Sequence, residues 1–160
     1  MSEQKLDLSR FSFGITSAIV TSLAMMLGLD QTKDPRTSIV GALLLIAIAD
    51  NVADSLGLHV YRESVPGVRS SPKIYIVSNF ATRLGVMMLF IVLVSELSLT
   101  LAIVVSVAVG LTMLAVMSYY IAVHQKVSVG RFMVQHLGIA ILVILLSHFI
   151  GMLIGYLFHA

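Results

Sequence analysis

Cysteine is absent from the 160-residue chain, which excludes disulfides, thiolate metal sites and cysteine nucleophiles together. Charge is scarce as well. Asp, Glu, Lys and Arg make up only 11% of the residues, too few to coat a surface that faces water. The formal net charge of +2 is small, and its basic residues gather in the connections between apolar runs, so it implies no nucleic-acid partner. What remains is 58% hydrophobic, with a mean hydropathy of +1.01, and this composition marks an integral membrane protein. A cleaved signal peptide needs a basic start, a short apolar run and a small-residue exit. The apolar run beginning near Phe11 has no such exit, so the first span is expected to stay.

Five apolar stretches are bounded by charged or Pro/Gly-bearing breaks, each long enough to cross a hydrocarbon core of about 30 Å as a helix. They run near Phe11–Leu29, Ser38–Tyr61, Ile74–Val94, Leu99–Val123 and Phe132–Phe158. The connections "DQTKDPRT", "RESVPGVRSSPK", "SELS" and "HQKVSVGR" are too short to hold a soluble domain. The expectation is an all-α protein: one transmembrane domain of five helices over residues 1–160. Lys and Arg in short loops set orientation. An N-terminus inside places Lys5, Arg10, Arg62, Arg69, Lys73, Lys126 and Arg131 on the cytoplasmic side and Lys33 and Arg36 outside. That is seven against two, and it leaves the C-terminus outside. In a prokaryote the membrane would be the inner or plasma membrane.

Within "GALLLIAIADNVADSLGLHVY" the second span carries Asp50, Asn51, Asp54 and Ser55, and His59 follows toward its end. Asp50 falls 12 residues past Ser38, near the midplane, with Asp54 one turn further on the same face. A charged Asp at a helix centre costs about 2.5–3.5 kcal/mol even on the lenient insertion scale, so these side chains must meet protein, water or a cation. Two carboxylates one turn apart repel when both are ionised, which makes the pair a candidate carrier of a proton or a cation. Arg83 lies nine residues past Ile74 in the antiparallel third span, at a depth between the two. The expectation is a structural ion pair between Arg83 and Asp54. It leaves Asp50 free for proton coupling, with Asp50, Asp54 and Asn51 as candidate metal ligands. The competing architectural reading is that Arg83 neutralises an Asp and fixes helix register.

The remaining polar residues are less directive. Thr16, Ser17, Thr21 and Ser22 in the first span suit close helix packing. Thr21, Ser55, Met25 and Met26 are accessory candidates, a thioether being a soft ligand. His59, His124, His136 and His159 follow no ligand spacing, while His148 falls deep in the outer half of the fifth span. No HExxH-type pair exists, so a zinc enzyme site is not expected. Gly151 and Gly155 have GxxxG spacing, which lets two backbones approach and is compatible with a dimer face.

The order of these features resembles the vacuolar iron transporter family. The similarity is carried by "FGITSAIVTSLAMMLGL", by "GALLLIAIADNVADSLGLHVYRES" and by the ending "GRFMVQHLGIAIL…HFIGMLIGYL". The chain departs from the family's pattern in three places. Phe13 precedes Gly14 where the family has an aspartate, Asn51-Val52 stands for a Ser-Met pair, and "RESVPGVRSSPK" replaces a long Glu-rich cytoplasmic segment. The resemblance implies a short, divergent member in which Asp50 and Asp54 take over the first helix's ligand role. It implies a homodimer that moves ferrous iron or manganese out of the cytosol in exchange for protons, the metal being cargo and no cofactor being resident.

Two functions compete on the sequence. A secondary transporter of a divalent cation fits midplane carboxylates, which bind either a hard cation or protons. Its ligand count is short in one protomer, so the first and second spans are expected near the two-fold axis of a dimer. A non-transporting scaffold or assembly subunit fits an Asp–Arg cluster used as a register device. An enzyme is not expected, since no nucleophile with a base at suitable spacing can be named.

Overall fold

The structure, a computed structural model, describes residues 9–64 and 72–159. They form five helices: α1 Ser9–Leu29, α2 Pro35–Ser64, α3 Pro72–Glu96, α4 Leu99–Gln125 and α5 Val129–His159. All five are long and apolar enough to cross a membrane, and the expected all-α class with five spans is what the chain adopts. Helix suits apolar runs of this length, because in hydrocarbon each backbone N–H and C=O needs a partner and a helix supplies them all within its own segment.

The helices run a few residues past the expected spans, for local reasons. α2 starts at Pro35 and not Ser38, since proline suits the first helical position, where its missing N–H is not needed. The Ser38 N–H then donates to the Asp34 carbonyl at 3.0 Å, closing the first turn. α5 likewise gains a turn before Phe132, whose N–H donates to the Ser128 carbonyl at 3.0 Å. At 31 residues α5 is about 46 Å long, so it tilts within or projects beyond a core of about 30 Å. α4 ends on Lys126, which takes a left-handed backbone (φ 55°), and the Val127 N–H reaches back to the Ala122 carbonyl at 3.1 Å. This is the bonding of a Schellman cap, made here without the usual glycine.

α1 is the central helix, in contact with all four others, while α2 packs chiefly on α3 and α1. The α1 stripe Ala18, Ile19, Ser22, Leu23 and Met26 is fully buried. The face of α4 against it carries Ala102, Ser106 and Gly110 at four-residue spacing, small residues that let helices close up without a hydrophobic drive, and continues one turn on to the larger Leu114. Against α5 the approach is closer still. A Cβ placed on Gly151 would lie 2.5 Å from the Gly28 carbonyl oxygen, so only glycine permits this crossing. Gly151 therefore serves contact inside one protomer, not a dimer face. Arg36, at the start of α2, donates to the Ser95 and Leu97 carbonyls at 2.9 and 2.6 Å and satisfies acceptors at the end of α3.

Polarity is inverted relative to a water-soluble bundle. Leu45, Ile48, Val52, Leu56 and Val60 of α2 and most large side chains of α5 are exposed, whereas Ser22, Asn51, Asn79, Arg83, Ser106 and Ser118 are buried. An apolar exterior suits a lipid solvent. The buried polar groups are then the informative ones.

Candidate functional site

Asp50 lies at the middle of α2, 15 residues after Pro35 and 14 before Ser64, and Arg83 lies near the middle of α3. The side chain of Arg83 is 1% exposed, and its two terminal nitrogens part: Nη1 donates to Asp54 Oδ2 and Nη2 to Asp50 Oδ2. The expected pair with Asp54 is present, and the expectation that it leaves Asp50 free is corrected. The two carboxylates are one turn apart on one face, so a planar guanidinium fork spans both. Asp50 is not released by the Asp54 contact; Arg83 clamps the two together. The carboxylates themselves face partly outward, with Asp50 43% and Asp54 27% exposed.

Asn51 turns away from that opening. It is fully buried, and its Nδ2 donates to the Phe80 carbonyl of α3 at 3.0 Å, which ties α2 to α3 beside the clamp. Ser55 donates its hydroxyl to the Asn51 carbonyl at 2.7 Å, a bond within its own helix. Neither therefore joins the carboxylates as a ligand set. Met26 is fully buried in the apolar core and Met25 packs against it. Both lie within four residues of the end of α1, about 16 Å in height from Asp50, so they are not ligands of the same site. Thr21 is partly buried on the central helix, about 10 Å from the level of Asp50 by the same count. α1 is in contact with all four other helices and so offers less open surface than α2, which keeps a long exposed face, as do α4 and α5. Phe13 is exposed on α1.

The histidines stay apart from the clamp. His148 Nδ1 stands 3.5 Å from Asp30 Oδ2, at the end where α1 meets α5. His136 Nδ1 is 2.9 Å from the Phe132 carbonyl and its ring packs on the Phe132 ring, while His124 is exposed at the end of α4. His59 is exposed on the last turns of α2. Among the described residues, no three His, Cys, Asp or Glu gather as a metal-binding group. Lys5 and Arg69, and the side chains of Arg10, Arg62, Lys73 and His159, lie outside the described residues, as does most of the "RESVPGVRSSPK" connection.

The residue that sequence reasoning missed is Asn79. It lies one turn before Arg83 on the same face of α3, fully buried, with neither carboxamide atom partnered. Its oxygen points at α1, where a Cβ on Gly14 would lie 2.7 Å from it. The signal was available as an Asn–Arg pair at four-residue spacing inside an apolar run. Compared with protein-family models, curated proteins and solved structures, the chain matches none.

Proposed function

We propose that this protein is a secondary transporter that exchanges a divalent metal cation, ferrous iron or manganese, for protons, and works as a homodimer related to the vacuolar iron transporters. The observation that carries the reading is the outward-facing clamp at mid-membrane. Its formal charge is −1 from Asp50, −1 from Asp54 and +1 from Arg83, a net of −1 at the depth where a bare charge is most costly. That charge must be met by a proton, a cation or a partner surface. Two copies facing each other across α2 carry a net of −2, which one divalent cation or two protons neutralise equally well. Exchange of one for the other is then electroneutral, and Arg83 acts as a tethered counter-cation that keeps the empty site from holding four uncompensated carboxylates. The ligand shortage of one protomer disappears in the pair. By the distribution of Lys and Arg, the N-terminus and the α2–α3 connection lie in the cytoplasm, and transport runs outward.

The test is metal-driven proton movement in vesicles reconstituted with the purified protein. Fe²⁺ or Mn²⁺ gradients should drive proton flux with the wild-type chain, and Asp50→Asn or Asp54→Asn should abolish it while the protein stays folded. Transport by Asp50→Asn at the wild-type rate with an unchanged pH dependence would remove Asp50 from the coupling step.

A second reading is favoured by one specific observation: both carboxylates are already engaged by Arg83. In a scaffold or assembly subunit the clamp sets the register of α2 on α3 and has no cargo. Vesicles without metal or proton flux, together with loss of assembly on Arg83→Leu, would select it.

A further inference from the structure

Four buried polar atoms beside the clamp have no partner in the protein: Asn79 Nδ2, Asn79 Oδ1, Asn51 Oδ1 and Arg83 Nε. They are not scattered. Asn79 and Arg83 share one face of α3, and Asn51 is fastened by its amide nitrogen to the carbonyl of Phe80, the residue next to Asn79. Each group is at least 99% buried by side chain or residue, so lipid-side or bulk water does not reach it from the open face of the clamp. An unmet buried donor or acceptor costs on the order of 1–3 kcal/mol, and four within about two helical turns is a concentration that native interiors do not leave unsatisfied. One buried water typically makes about three hydrogen bonds, and sites of this polarity are where such waters sit.

We propose that the seam between α1, α2 and α3 binds a short chain of ordered water, held by the Asn79 carboxamide, Asn51 Oδ1 and Arg83 Nε. The chain connects the Asp50–Arg83–Asp54 clamp to the membrane face carrying the start of α1 and the α2–α3 connection. Asn79 is one turn, about 6 Å, nearer that face than Arg83, and Gly14 opposite it is five residues from the start of α1. Gly14 lets α1 pack closely against Asn79: a Cβ there would lie 2.7 Å from Asn79 Oδ1 and 3.0 Å from the Asn79 carbonyl oxygen, so a larger residue would push α1 off α3 and disturb the seam. A proton leaving the carboxylate pair passes to the nearest water and along hydrogen bonds to that face, while the cation uses the outward opening. The proton route rests on the transport reading above; the hydration of the seam does not.

The measurement is water-edited solid-state NMR on the isotope-labelled, unmodified protein in lipid bilayers. The Asn79 side-chain amide and the Arg83 Nε–H should receive water magnetisation about tenfold faster than the backbone amides of Met87 and Phe90 in the dry core, because bound water lies within a hydrogen bond of them. Build-up as slow as at Phe90 overturns the proposal. Asn79→Leu supplies a second readout by its sign. If the seam is dry, the near-isosteric apolar side chain removes two unmet atoms and raises the unfolding temperature. If it is hydrated, the change expels water, strips Arg83 Nε of its partner and lowers that temperature. A water signal in a protein that moves neither metal nor protons leaves the hydrated seam standing and removes the transport reading; transport without the water signal does the reverse.

Discussion

The clamp makes an asymmetric prediction about charge removal. Arg83→Leu takes the formal charge of the cluster from −1 to −2 and leaves two carboxylates one turn apart with no counter-charge. Breaking a buried ion pair in this direction costs about 3–5 kcal/mol, because the stranded charges remain in a low-dielectric setting. Asp50→Asn or Asp54→Asn acts oppositely. The cluster goes to zero charge, the side-chain oxygen still accepts from the guanidinium, and the remaining carboxylate still neutralises Arg83. The loss is then that of one charge-assisted bond exchanged for a neutral one, about 1 kcal/mol. Replacing all three residues by Leu should be neutral or stabilising, since no charge is left to desolvate. The assay is SDS titration of the purified protein followed by far-ultraviolet circular dichroism. An Arg83→Leu variant no less stable than the single Asn variants would show that the guanidinium does not bridge both carboxylates, and the reasoning from net charge would fall with it.

Other predictions concern the bundle. Gly151→Ala should cost about 1–3 kcal/mol, because its methyl group meets the Gly28 backbone and forces α1 and α5 apart, whereas Gly155→Ala, whose Cβ would sit 3.6 Å from the Gln31 Cβ, should be tolerated; equal stability of the two in the same titration would refute the close crossing. Lys126→Gly should stabilise by about 0.5–1 kcal/mol, since relief of a left-handed non-glycine residue exceeds the added chain entropy of glycine. A drop in stability there would mean that the Lys126 charge, beside the C-terminal carbonyls of α4, outweighs the backbone strain.

Solvent alone made much of this protein legible before any contact was known. A chain with so few charges and five apolar runs of spanning length has one option in hydrocarbon, since helices satisfy their backbone within the segment, and helix number and approximate bounds follow from run length. The shared depth of Asp50, Asp54 and Arg83 was equally readable, because rise per residue and antiparallel succession need no packing information. What depth cannot carry is direction around the helix axis and the identity of neighbours. Whether Arg83 meets one carboxylate or both depends on how α2 and α3 are rotated against each other, and that rotation is set by side-chain packing along the whole contact. The enclosure of α1 by four helices, the use of Gly151 against Gly28 and the turning of Asn51 toward Phe80 are decisions of the same kind. They explain why Met25 and Met26 stand apart from the carboxylates and why Asn79, whose spacing to Arg83 gave its depth but not its neighbours, lies buried beside Arg83 and Asn51. Membrane helices are apolar on every side, so the sequence carries little amphipathic signal to say which face turns inward, and only the assembled bundle supplies it.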